Sequence, residues 1–235
     1  MLSVIITTSP IKSNPSTKMI DEVITSLNFE DDWQIIVVCD GYKISEKQEL
    51  KSGMINEKQA KNYLQYIENL KSICPPNFEI LLREQRCGFA ENVYFALKKC
   101  IFEFVLVVQH DFVFVQSIDF EALIKKYFIE NNINYLTFKS NGKDNRSNYI
   151  EQNTEILPLL FLYDRNHLVR KSFYLETVFK KYKVKNFIED SFGQFMKTQL
   201  KANIADFDLF RTYILNSKKN ILKHVHGRKQ IGIID

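Results

Sequence analysis

The chain has 235 residues, 45% of them hydrophobic and 26% charged, with 7 Gly and 5 Pro. Such a composition excludes long disordered or fibrous segments, and a chain of this length can bury a sizeable core without disulfides. The net charge of +4, from 32 basic against 28 acidic side chains, admits an anionic ligand but falls short of a nucleic-acid-binding footprint.

The chain opens on "LSVIITT", an apolar, β-branched run that predicts a buried strand. "MLSVIITTSP" lacks the basic lead and long apolar core of a signal peptide, and no apolar run approaches the ~20 residues needed to span a bilayer. A cytoplasmic protein without a transmembrane segment is therefore expected. After a loop marked by Pro10 and Pro15, Met19, Ile20, Val23, Ile24 and Leu27 fall at helical spacing, with Ser16 as the expected N-cap. "WQIIVVCDG" predicts a second buried strand ending in an Asp-Gly turn. A long polar helix follows, with Ala60, Tyr63, Leu64, Ile67 and Leu70 on one face. "PPNFEILLRE" holds a third strand, and "GFAENVYFALKKC" a helix burying Val93, Ala96, Leu97 and Cys100. "EFVLVVQHD" is the fourth strand. Alternating strands and helices with short connections predict an α/β fold: a Rossmann-like, mostly parallel sheet with helices on both faces. Strands that are apolar throughout, rather than alternating, fit burial on both sides.

Beyond Asp111 the pattern becomes mixed. "FEALIKKYF" predicts an amphipathic helix and "INYLTFKS" a strand. "ILPLLFLYDRNHLVRK" predicts a strand, a turn and a short continuation. "SFYLETVFKKY" and "SFGQFMKTQLK" predict helices on either side of "NFIED". One domain over 1–235 is expected, with a nucleotide-type half (1–116) and a half shaped for a second ligand (117–235). Cys39, Cys74, Cys87 and Cys100 form no C-x-x-C pair, so zinc-finger spacing is absent and reduced, partly buried thiols are expected.

In open parallel sheets ligands bind at the carboxyl ends of the strands. Those ends carry Thr7, Thr8 and Ser9, then Asp40 and Gly41, then Gln109, His110 and Asp111. Neither G-x-G-x-x-G nor G-x-x-x-x-G-K is present, which disfavours dinucleotide oxidoreductases and P-loop NTPases. A diphosphate site without such a loop calls for a divalent cation, Mn²⁺ or Mg²⁺, held by carboxylate oxygens and imidazole. Asp111 supplies the first, and His224 or His226 in "HVHGRK" the second. Arg228 and Lys229 supply charge-assisted bonds to phosphate oxygens. Each feature has a plain structural reading too. Thr7, Thr8 and Ser9 cap a loop, Asp40 makes a turn, Gly88 and Asn92 start a helix, Glu189 and Asp190 suit a helix N-terminus, and the basic tail is solvated.

Taken together, the N-terminal strand, loop and helix, the second strand ending in Asp-Gly, "CGFAENVYFAL" after the third strand, the polar triplet closing the fourth and the later "ED" resemble A-type glycosyltransferases, most of all the inverting family 2 enzymes. The resemblance covers nearly the whole chain. It implies that Asp40 contacts the nucleoside, and that Gly88 and Asn92 belong to the donor side. It implies that Gln109-His110-Asp111 stands where relatives carry Asp-x-Asp, with an amide replacing the first acid. It implies that Asp190, with Glu189 beside it, is the catalytic base, that a late histidine completes the metal shell, and that His167 and Arg170 line the acceptor side. The donor it implies is a nucleoside-diphosphate sugar, commonly a uridine diphosphate sugar. The acceptor is a glycan or glycoconjugate hydroxyl. Two rivals stand beside it. The altered triplet fits a non-catalytic nucleotide-sugar or glycan-binding domain. A sugar nucleotidyltransferase fits less well, because "TTSPIKSNPSTK" has neither Gly nor Arg.

Overall fold

The computed structural model describes residues 1–47, 50, 53–141, 146–180 and 187–225. The four apolar runs form β1 (Ser3–Thr8), β2 (Gln34–Cys39), β5 (Phe78–Leu82) and β6 (Phe104–Gln109). Between them lie α1 (Lys18–Thr25), the short strands β3 (Lys43–Ile44) and β4 (Met54–Ile55), α2 (Glu57–Ile73) and α3 (Phe89–Leu97). The second half contributes β7 (Phe112–Phe114), α4 (Phe120–Leu123) running on as a wider π-helical turn, β8 (Tyr135–Phe138), β9 (Ile156–Pro158) and β10 (His167–Arg170). It continues with α5 (Lys171–Phe173), α6 (Gln194–Ala202), α7 (Phe207–Phe210), β11 (Thr212–Leu215) and β12 (Leu222–His224).

Eight strands make one sheet in the order β5-β2-β1-β6-β10-β8-β11-β9. The first four are mutually parallel, and β8 pairs in parallel with β11. β10 runs antiparallel between β6 and β8, and β9 antiparallel on β11. Alternate residues of each inner strand feed two cores. Val4, Ile6, Ile35, Val37, Leu106 and Val108 face α1 and α2, while Ile5, Ile36, Val38, Val105 and Val107 face α3 and α6. A strand buried on both faces needs apolar residues at every position, which is why these runs do not alternate.

Local departures from the sequence reading have physical causes. α1 begins at Lys18 after Thr17, and Ser16 Oγ merely accepts the Lys18 amide at 3.3 Å. α2 is capped by Asn56, whose side chain and that of Gln59 bond each other's backbone amides in a capping box. Its buried stripe runs through Tyr63, Tyr66, Ile67 and Leu70, leaving Leu64 52% exposed, so Tyr66 takes the core position expected of Leu64. "ILPLLFLYDRNHLVRK" is not a strand that turns and continues. β9 sits at the sheet edge and β10 at its centre, because β10 fills the open side of β6. The four cysteines are unpaired, with Cys39 and Cys100 buried. Among the described residues no helix is long and apolar enough to cross a membrane.

Candidate active site

Parallel register levels the strand ends. Thr7 lies opposite Gln109 and Thr8 opposite Cys39, so the residues following β1, β2 and β6 open together into a crevice of about 650 Å³. Thr7, Thr8, Ser9, Asp40, Gly88, Asn92, Gln109, His110, Asp111, Glu189, Asp190 and His224 all line it. Twelve residues picked from sequence thus meet at one place.

At the end of β2, Asp40 is 5% exposed and its carboxylate is fully engaged. Oδ1 accepts the amides of Gly41 (3.0 Å) and Cys87 (2.8 Å), and Oδ2 accepts the Gly88 amide (3.0 Å). The Asp40 carbonyl also accepts the Tyr63 hydroxyl at 2.8 Å. Gly41 is required by a close approach rather than by a turn alone, since a Cβ there would lie 2.2 Å from the Gln85 carbonyl carbon. Gly88 has φ +84, a conformation side chains disfavour, and stands at the N-terminus of α3. One helical turn on, Asn92 is 2% exposed, and its Oδ1 lacks a hydrogen-bond partner among the described residues.

At the end of β6 the three polar residues do different work. The Gln109 side-chain amide donates to the Asp164 carbonyl (2.8 Å), and its backbone amide donates to Asn166 Oδ1 (3.0 Å). His110 Nδ1 meets the Thr8 hydroxyl at 2.7 Å, and that hydroxyl meets the Tyr66 hydroxyl at 2.8 Å. Burial lowers the His110 pKa, with Asp111 opposing, and so favours the neutral ring. Asp111 Oδ2 lies 3.0 Å from His224 Nε2, delivered by β12, which pairs with β7 so that His224 faces Phe112. Burial works against charge on Asp111, but the His224 bond and the two nearby histidines outweigh it and hold its pKa below the ordinary value. Its Oδ1 is buried without a hydrogen-bond partner among the described residues.

Glu189 and Asp190 begin a π-helical turn (Glu189–Gly193) that leads into α6. Asp190 is exposed to the crevice and Glu189 is half-buried. Burial raises the Glu189 pKa, Asp190 adds to the rise, and the Asp164 amide and Arg165 oppose it. Behind them lies a residue that sequence reading missed. Asp164 is 3% exposed, and its Oδ1 accepts the Ile188 amide at 3.0 Å. Burial, then the charge of Glu189, push its pKa well above the ordinary value. No spacing signal marks Asp164; it lies in a non-periodic stretch before β10.

Two expected acceptor-side residues are corrected. His167 is fully buried in β10, with Nδ1 2.7 Å from the Arg165 carbonyl and Nε2 2.6 Å from the Tyr174 hydroxyl. Burial lowers its pKa to about 3. Arg170 faces Phe104 at the far end of the sheet, because β10 is antiparallel to β6. Its guanidinium bonds the carbonyls of Ile133 (2.9 Å) and Phe128 and the Asn132 side chain, closing a loop. His226, Arg228 and Lys229 lie outside the described residues.

Among the described residues no three His, Cys, Asp or Glu side chains gather as a complete ligand set. Asp111 and His224 nonetheless fit a shared cation. The buried carboxylate oxygen without a hydrogen-bond partner among the described residues, and the imidazole beside it, are donor types a divalent cation accepts.

This sheet order, with its crevice at the parallel strand ends, is the A-type glycosyltransferase fold. Solved structures share it. S. aureus TarS superposes with a TM-score of 0.57 at 19% identity, over 95% of this chain and 36% of that one. A TarS structure in complex with UDP-GlcNAc gives 0.56 at 19%, over 95% and 58%. The mannosyltransferase PcManGT from Pyrobaculum calidifontis, in complex with GDP-Man and Mn²⁺, gives 0.55 at 12%, over 98% and 58%. The chain therefore spans less than two thirds of each. No protein-family model matches the sequence, and no curated protein does.

Proposed function

We propose that the chain is a glycosyltransferase that moves a sugar from a nucleoside-diphosphate sugar, a uridine diphosphate sugar foremost, to a hydroxyl of a glycan or glycoconjugate. The observation that carries this reading is the meeting of Asp111 and the Glu189–Asp190 pair, from separate elements, across one crevice at nucleotide-type strand ends. Nucleotide-sugar complexes of two neighbours of the same fold support it.

In this reading Asp40 holds the loop that the nucleoside lies against, and Asn92 Oδ1 is an acceptor for one of its N–H or O–H groups. Asp111 and His224 hold Mn²⁺ or Mg²⁺, which when bound neutralises charge on the diphosphate. Arg228 and Lys229 are assigned to phosphate oxygens from sequence alone, as is His226 to the metal. Asp190, exposed to the crevice, takes the proton of the acceptor hydroxyl as it attacks the anomeric carbon. Glu189 is the less suited of the pair, being partly buried against the Asp164 amide at 3.4 Å. Attack from the side opposite the diphosphate inverts the anomeric configuration.

Asp190→Asn should lower transfer by about 10²–10⁴-fold, the usual share of a general base, while UDP with Mn²⁺ still raises the melting temperature. Undiminished transfer would remove Asp190 from the role. The engagement of the Gln109 amide in a protein contact, at the position where the resembled family carries an acid, favours a second reading as a binding domain. Stabilisation by nucleotide sugars with no release of nucleotide would establish that alternative.

A further inference from the structure

Asp164 is the most unusual titratable group outside the crevice lining. It is 3% exposed, and one of its carboxyl oxygens, Oδ2, is buried without a partner among the described residues. A carboxyl so placed costs stability that its single accepted hydrogen bond offsets only in part. It touches both sides of the crevice through three hydrogen bonds. Its carbonyl accepts the Gln109 side-chain amide at 2.8 Å, and its Oδ1 accepts the Ile188 amide at 3.0 Å. Its own amide points to Glu189 Oε2 at 3.4 Å. Two residues on, Asn166 accepts the Gln109 backbone amide at 3.0 Å and donates to the Phe112 carbonyl at 3.0 Å. Asp164 thus joins the end of β6 to the first residues of the turn that carries the acid pair.

We infer that Asp164 is the positioning residue for the Glu189–Asp190 pair, and that Gln109 is its anchor rather than a cation ligand. The amide at 109 is explained by this contact. A carbonyl must be met by a donor, and a carboxylate at 109 would set two acceptors against each other. The Asp164 carboxyl acts through one acceptor oxygen, since its second makes no hydrogen bond among the described residues. An asparagine in its place keeps that acceptor. The inference rests on the proposed function for its kinetic consequence and stands on the geometry alone for its structural one.

The test compares Asp164→Ala, Asp164→Asn and Gln109→Glu with the parent chain in two measurements. In hydrogen exchange read by mass spectrometry, Asp164→Ala should raise exchange in peptides spanning 187–193 at least tenfold. Asp164→Asn should leave it near the parent level. Kinetics are read as nucleotide release from UDP-GlcNAc and from GDP-mannose with Mn²⁺. There Asp164→Ala and Gln109→Glu should lower kcat about 10–100-fold with donor KM within threefold, and Asp164→Asn should recover most of the loss. Unchanged exchange in Asp164→Ala overturns the inference. So does Asp164→Asn as impaired as Asp164→Ala, which would give the carboxyl a chemical role, or a higher rate and tighter Mn²⁺ dependence in Gln109→Glu, which would make position 109 a cation ligand. If the parent chain turns over neither donor, the transferase reading loses support and the exchange comparison alone decides the role of Asp164.

Discussion

The ends of β2 and β6 each present an aspartate to the same crevice, and the two are used in opposite ways. Asp40 spends both oxygens on three backbone amides, so it builds the loop that enters α3. Asp111 gives one oxygen to His224 and keeps the other without a hydrogen-bond partner among the described residues. The difference teaches how to separate a carboxylate that makes a site from one that serves it. Both are aspartates just beyond the end of a parallel strand, and their hydrogen-bond partners set them apart.

The sharpest way to break this contrast is Asp111→Asn. It should reduce Mn²⁺-dependent turnover of a nucleotide sugar by about 10²–10³-fold, the loss expected when one preorganised electrostatic partner is removed. The melting temperature should stay within roughly 2 °C, because the change strips no protein donor of its only acceptor. A drop comparable to that of a core mutation would show Asp111 to be structural.

Asp40→Ala is the converse. It leaves the amides of Gly41, Cys87 and Gly88 without their acceptor, a loss of about 2–4 kcal/mol, or roughly 5–15 °C in melting temperature. Denaturant titration at pH 7 measures it. An unshifted midpoint would mean that the loop holds without its clamp.

A smaller effect sharpens the boundary between crevice and core. His167 has a folded pKa near 3 against an ordinary 6.5, lowered by burial. The unfolded chain therefore takes up a proton that the folded chain refuses. The contribution of His167 is complete above pH 6.5 and declines as pH falls toward 3, by about 1.4 kcal/mol per unit. Between pH 6 and 4 the stability of His167→Phe should fall less steeply with acid than that of the parent. Equal slopes would place the ring in contact with solvent.

Much of this was legible in the sequence because it follows local rules. The apolar runs of β1, β2, β5 and β6 are visible as such, and a parallel sheet puts Thr8, Asp40 and Asp111 at one edge. The acid pair was found through likeness to a motif, and it does line the crevice. What stayed hidden depends on contacts between distant residues. Arg170 looked available, but the antiparallel course of β10 carries it to the opposite end of the sheet. His167, expected on the acceptor side, is a core strand residue. Asp164 had no signal at all, because its role arises from where Gln109 and Ile188 come to lie around it. Tyr66 gave a weak one, its place on the helical stripe of α2.

The strand β10 also bears on how the protein can be divided. It covers the side of β6 that β1 leaves open, pairing residues 104–107 with residues 167–170. A fragment ending at residue 116 would carry every strand of the nucleotide-type half and still expose β6 as a bare edge. That edge is a run of Val and Leu, with nothing in it to discourage pairing with another copy. The first 116 residues, expressed alone, should therefore aggregate through the strand that presents Gln109 to the crevice.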